Sequence, residues 1–281
     1  MNRFHVFWLT AIAMIAFAGN SLLCRMALKS TTIDPVTFTA IRLLSGILVL
    51  GCINFYQHPL SAKSGNWTSS IALFIYALFF SVAYISLPTG IGAILLFGSV
   101  QLTMLSYGLM QKERFNSIQT TGFVLAIVGI GALFWPGMTA PPVVGSLLMI
   151  VAGLAWGIYS IKGKKSSAPI ADTFGNFLRT LPFILIGFML YPHHHYDQQG
   201  VIYALLSGAI ASGIGYSIWY AILPKLTSIF AASIQLSVPI LASLLAVILL
   251  NENLTFRLTI SSIAVLAGIG LVIIQKNKRP S

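Results

Sequence analysis

The stretch Pro35–Phe55 reads PVTFTAIRLLSGILVLGCINF, 21 residues with one charge, Arg42. About 20 consecutive apolar residues cross the hydrocarbon core of a bilayer as one helix. A transmembrane strand needs only about ten and alternates apolar with polar residues. This run does not alternate. It also opens as a helix should, because Asp34 is a cap residue and Pro35 presets φ at the first helical position.

Further runs of the same character lie on both sides. With ends uncertain by ~2–4 residues, ten runs cover roughly 5–27, 35–55, 69–87, 89–110, 117–135, 142–162, 171–190, 200–223, 228–250 and 257–275. Asn116 or Ser117 is placed to cap the fifth, and Asn253 or Thr255 the last. The first run resembles a signal peptide, with Arg3 at its start and Ala16-Phe17-Ala18 at a cleavage-like position. Its apolar character continues to Leu28, so an uncleaved first helix is expected.

Composition agrees. Of 281 residues 57% are hydrophobic, and 16 Lys or Arg plus 5 Asp or Glu make only 7% charged. Soluble domains carry about 25% charged residues, and disorder needs low hydrophobicity with high charge; both classes are excluded. The net charge of +11 would point to nucleic acid in a soluble protein. Here it reads as orientation, because Lys and Arg accumulate in cytoplasmic loops. With the N-terminus inside, Arg3, Lys63, Lys112, Arg114, Lys162, Lys164, Lys165, Lys225, Lys276, Lys278 and Arg279 are cytoplasmic. Only Arg25, Lys29 and Arg257 are then external. Both termini are therefore expected in the cytoplasm, and a bacterial inner membrane is the expected location. Cys24 and Cys52 read as small apolar fillers. No paired-cysteine metal motif exists, and neither metal nor cofactor is expected.

The chain partly repeats itself. A shift of 137 residues places Arg25 on Lys162 and Arg42 on Arg179. A shift of 139 places Glu113 on Glu252 and Gly129-Ile130-Gly131 on Gly268-Ile269-Gly270. Tyr84 and Pro88 match Tyr220 and Pro224 at 136. Residues 1–137 and 138–281 thus read as two five-helix units. An odd number of spans turns the second unit over, giving the inverted repeat of many secondary transporters. The expected fold is all-α and integral to the membrane, with ten transmembrane helices as two inverted five-helix repeats.

On these residues the chain resembles the EamA-type family of the drug/metabolite transporter superfamily. The resemblance rests on Ala18-Gly19-Asn20-Ser21 followed by Arg25-Met26-Ala27-Leu28, and on Ile33-Asp34-Pro35 with Phe38-Thr39 and Arg42. In the second unit it rests on Ala155-Trp156-Gly157, Gln235-Leu236-Ser237-Val238-Pro239 and Leu249-Leu250-Asn251-Glu252. Gly19 stands where a family Trp is common, and Val100 where Pro is frequent. The resemblance implies a ten-helix carrier with a cavity between the repeats, usually exporting small metabolites.

Candidate site residues follow from charge and polarity inside the runs. Arg42 and Arg179 lie about two turns into their spans, where a charge costs several kcal/mol unless it faces protein or water. A guanidinium fork binds a carboxylate or phosphate. The alternative is structural: Asp34 and Asp172 each precede an Arg by about two turns on the same face, and either Arg can instead pair with a carbonyl or snorkel. Asn20, Gln101 and Gln235 can read a polar substrate or tie helices together. Trp156, Trp219 and Tyr84, with Tyr159, Tyr216 and Tyr220, read as a cavity wall or an interfacial belt. Trp8, Trp67 and Trp135 read as belt residues. Glu113 and Glu252 precede helices, where a carboxylate is favoured; no acid lies mid-span as proton relays require. His193-His194-His195 reads as a solvated loop. Gly208 with Ser212, Ala211 with Gly215, and Ala264 with Gly268 read as close helix contacts.

The expected function is a secondary transporter exporting a small polar metabolite, an amino acid or organic acid, by alternating access. Its expected partners are the lipid bilayer and that substrate, with no nucleic acid; a homodimer is left open. A multidrug or cation efflux carrier would favour buried carboxylates, which are absent. A membrane-embedded enzyme would need an intramembrane His beside a Ser or acid, and a scaffold would show no substrate-dependent stabilisation.

Overall fold

In the computed structural model the described residues are 3–57, 64–111, 116–135, 140–164, 166–222 and 234–276. Glu113, Pro224, His58 and the loop cations Lys63, Lys112, Arg114, Lys165, Lys225, Lys278 and Arg279 lie outside them. Among the described residues the chain is helical, with no strand. The helices are α1 Arg3–Ser30, α2 Pro35–Gln57, α3 Trp67–Ser86, α4 Thr89–Met110, α5 Ser117–Leu133 and α6 Val143–Gly163. They continue as α7 Pro169–Leu178, α8 Leu181–Leu190, α9 Gln198–Leu205, a π-helical segment Leu206–Ile214, α10 Gly215–Ile222, α11 Ser237–Leu250 and α12 Phe256–Lys276.

Among the described residues seven helical stretches are long and apolar enough to cross a membrane: His5–Ser30, Pro35–Tyr56, Trp67–Ser86, Thr89–Met110, Val143–Gly163, Pro169–Leu190 and Gln198–Ile222. Shorter apolar helices occupy Ser117–Leu133, Ser237–Leu250 and Phe256–Val272. Large apolar side chains such as Leu48, Ile186 and Ile248 face outward, as they do on an integral membrane protein where lipid replaces water. Trp8, Trp67 and Trp135 are also exposed, as expected of belt residues.

Local chemistry sets the helix ends. The Asp34 carboxylate accepts from the N–H of Val36 at 2.9 Å and Thr37 at 2.8 Å, and its second oxygen accepts from His195 N–H at 2.9 Å. Asn116 forms a capping box with Gln119 at the start of α5, and Thr255 accepts from Leu258 N–H at 3.2 Å. Asp34→Ala should therefore lower stability by about 1–2 kcal/mol, read as a drop in the thermal unfolding midpoint in detergent. His193 and His195 are exposed in a loop as expected, whereas the half-buried His194 stacks on Phe188 at 4.1 Å between ring centroids and lies 3.4 Å from the Thr37 hydroxyl of α2.

Two spans that read as continuous are interrupted. The seventh breaks between α7 and α8 at Arg179–Thr180, because Pro182 lacks an N–H and its ring clashes with the carbonyl four residues earlier. The eighth widens into the π-helical segment, which carries Ser207, Gly208, Ser212 and Gly213. That segment packs on α2 so closely that a Cβ on Gly208 would lie 2.0 Å from the Arg42 carbonyl oxygen. Elsewhere α5 lies against α12: a Cβ on Gly122 would be 2.5 Å from the Gly268 carbonyl oxygen, and one on Gly129 2.9 Å from the Ala264 Cβ. Small residues permit this approach.

Candidate functional site

Four helical elements converge on one buried polar chain. Arg42 projects from α2 and is 1% exposed. Its Nη2 donates to the Tyr76 hydroxyl of α3 at 3.1 Å, and its Nε to the Ser212 hydroxyl of the π-helical segment at 3.4 Å. Asn20 of α1 donates to the same Tyr76 hydroxyl at 3.3 Å and accepts from the Ser207 hydroxyl at 2.6 Å. The guanidinium carbon sits 5.2 Å from the Tyr76 ring centroid and 5.1 Å from that of Phe80. Its remaining nitrogen, Nη1, has no hydrogen-bond partner.

No described acid neutralises this cation. Asp34 caps α2, and Asp197 accepts from Gly200 N–H at 3.3 Å. Asp172 accepts from Gly65 N–H at 2.9 Å and from the Ser166 hydroxyl. Glu252 pairs with Arg25. Pairing of Arg42 with Asp34, or of Arg179 with Asp172, therefore does not occur. A buried ion without a counter-ion keeps several kcal/mol of unrepaid desolvation, so this site stores a demand for negative charge.

Beside the polar chain is a cavity lined by Phe17, Asn20, Ser21, Tyr76, Trp156 and Tyr216 among others. The Trp156 ring centre lies 4.8 Å from that of Tyr76, 4.9 Å from Tyr216 and 5.4 Å from Tyr159. Trp219 packs edge-on against Phe17 at 6.0 Å. The cavity volume is about 10 Å³, no more than one water molecule can occupy. The cavity thus has no room for a solute larger than water as it stands.

Of the sequence candidates, Asn20 and Trp156 line the cavity; Arg42 stands behind its lining, against Tyr76 and Phe80, and Trp219 is one ring behind Phe17. Gln101 is buried on α4 with its amide nitrogen unpartnered, one turn beyond cavity-lining Phe97. Tyr84 packs on Gly92, where a Cβ would be 2.4 Å from the ring, at the junction of α3 and α4. Gln235 is buried just before α11 and is not among the residues lining the cavity. Arg179 sits at the break after α7 and donates to the carbonyls of Ser64 and Gly175, holding the turn before α3. Tyr76 and Ser207 carry the network yet have no sequence signal beyond being polar groups in apolar runs, and Ser212 was marked only as a small residue at a close helix contact with Gly208. The π-helical segment around the two serines is likewise invisible to hydropathy. Arg25, counted above as an external loop charge, lies within α1 and is buried.

These features define a polytopic helical membrane protein with a polar site enclosed among its described helices. A family model described as the EamA-like transporter family matches residues 143–274. An uncharacterized protein of Pseudomonas aeruginosa is 50% identical over 269 residues, covering 94% of this chain and 93% of its own length. A probable amino-acid metabolite efflux pump of Salmonella typhimurium is 25% identical over 210 residues, 69% of this chain and 70% of that protein. A solved crystal structure matches with a TM-score of 0.69 at 17% identity, over 99% of this chain and all of its own; that likeness concerns the fold alone. The chain belongs to the EamA-like transporter family.

Proposed function

We propose that the protein is a secondary carrier exporting a small metabolite with a carboxylate, an amino acid or organic acid, by alternating access. The observation that carries this reading is Arg42, 1% exposed with no carboxylate partner among the described residues. An incoming carboxylate would engage the guanidinium, with Asn20 and Tyr76 as further polar groups and the Trp156 and Tyr216 rings as an apolar wall. The shut cavity supports the need for rearrangement. The Salmonella relative's name as an amino-acid metabolite efflux pump favours the same cargo class.

The reading includes ten spans, counting α5, α11 and α12, with 1–137 and 138–281 as oppositely oriented units. A helix of 17 residues, such as α5, is about 26 Å long, close to the ~30 Å hydrocarbon core. The termini are placed in the cytoplasm of a bacterial inner membrane on the loop-charge bias. Cation efflux is disfavoured because Arg42 repels a cation and each described acid is already engaged.

The test is a counterflow screen in proteoliposomes over amino acids, organic acids and amines. Uptake of an anionic or zwitterionic solute is expected; exclusive movement of amines would overturn the reading. Arg179→Gln should leave KM for that solute within about twofold, since its guanidinium is held by the Ser64 and Gly175 carbonyls, away from the Arg42–Tyr76–Asn20 chain. It should lower stability by about 1–3 kcal/mol through the lost charged hydrogen bonds, measured by thermal unfolding.

A further inference from the structure

A second buried charge lies one turn along α1 from the cavity. Arg25 is four residues beyond Ser21, which lines the cavity, and i, i+4 residues share a helix face. Its Nε donates to Glu252 Oε1 at 3.2 Å, and the two side chains are only 7% and 10% exposed. Arg25 Nη1 also donates to the carbonyls of Tyr84 at 2.8 Å and Ile85 at 2.9 Å, closing the end of α3. Glu252 Oε2 accepts from Thr89 N–H, the first residue of α4, at 2.7 Å. Two side chains thus clasp α1, the α3–α4 turn and the α11–α12 turn.

The turn is built to present the carboxylate. Asn251 adopts φ 51°, ψ 34°, a left-handed conformation that Asn tolerates. Asn251 N–H then returns to the Ala246 carbonyl, and Glu252 N–H reaches the same carbonyl at 3.2 Å, which closes the end of the helix. Glu252 also borders a separate cleft of about 40 Å³ between α4 and α11, with room for at least one water. Water able to solvate the carboxylate therefore has a place on the far side of the pair from the cavity.

We propose that Arg25 and Glu252 are positioning residues forming a latch, which closes the cavity toward the 31–34, 87–88 and 251–255 turns, and that transport requires the latch to part. The inference rests on the transporter reading above. Both side chains are engaged with one another and with the ends of α3 and α4, so the latch acts on access to the site rather than on recognition. A desolvated ion pair suits this use. Closed, each charge is compensated by its partner and by backbone groups; open, each is compensated by water. Desolvation and Coulomb attraction nearly balance, so the two arrangements can interconvert.

The test uses the full chain with Ser21→Cys as reporter in a Cys24→Ala, Cys52→Ala background, exposed to a membrane-impermeant methanethiosulfonate from each side separately. With the latch intact, labelling from the latch side is slow. Glu252→Gln keeps the shape and the acceptor for Thr89 N–H but removes the charge. It should raise the latch-side rate by about tenfold or more, as expected when a two-state equilibrium loses one pairing that held one state. Arg25→Lys keeps the charge without the fork, should give an intermediate rate, and decides the matter if Glu252→Gln fails to fold. Labelling of the folded variants at the parent rate would overturn the latch. The readout needs no solute, so it stands or falls separately from the counterflow screen.

Discussion

Arg42→Met is expected to abolish transport of a carboxylate solute while leaving the protein folded. Removing one partner of a buried ion pair costs about 3–5 kcal/mol. At 1.4 kcal/mol per decade that is a fall of about 10²–10³ in kcat/KM. The effect on the unliganded protein is much smaller, because opposing terms meet there. The variant loses a charged hydrogen bond to Tyr76, a long one to Ser212 and the contacts over the Tyr76 and Phe80 rings. It also sheds the desolvation of a cation with no counter-ion. Tyr76 keeps Asn20 as a donor. The unfolding midpoint should thus shift by only a few degrees, whereas the added stabilisation that saturating solute confers on wild type should vanish. Retained solute stabilisation in Arg42→Met would remove Arg42 as the anchor. A collapse of the midpoint without solute would make Arg42 a structural post instead.

The second large effect is steric. In Gly208→Ala the new Cβ would lie 2.0 Å from both the Arg42 carbonyl oxygen and the Ser45 hydroxyl. Ser45 can rotate away, but the carbonyl belongs to the α2 backbone and moves only with that helix. Overpacking of this kind costs about 1–3 kcal/mol and occasionally more; with backbone as the obstacle, about 3 kcal/mol or above is expected. Gly131→Ala is the control, because nothing lies within 4 Å of a Cβ there. It should be neutral or stabilise by up to about 1 kcal/mol, the helix-propensity difference between the two residues. Thermal unfolding of the two variants side by side checks both. Equal midpoints would mean that α2 and the π-helical segment are not held as closely as they stand here.

The spans were legible because hydrocarbon forces each helix to satisfy its own backbone, which requires a long uninterrupted apolar run. Asp34 and Asn116 were legible as caps because the cap signal is local. Arg42 stood out by rarity alone. Arg179 stood out equally, 137 residues further on, and ended as a clamp on the turn at Ser64. Two arginines related by one sequence shift thus occupy unlike surroundings, and composition does not distinguish them. Arg25 was misjudged for the opposite reason. Near a span end it reads as a loop charge, and its partner lies 227 residues away.

The amino-acid order alone determined that this chain is an integral membrane protein, that long apolar helices build it and that a few polar groups must be enclosed among them. Those conclusions rest on transfer free energy and local backbone chemistry, which act residue by residue. Only the tertiary structure decided which polar groups share the interior: Arg42 with Tyr76, Asn20 and Ser207, and Arg25 with Glu252. Those pairings depend on the rotation and approach of helices distant in sequence. Close packing at Gly208 and the widened turn around it set that approach, and hydropathy carries no record of either.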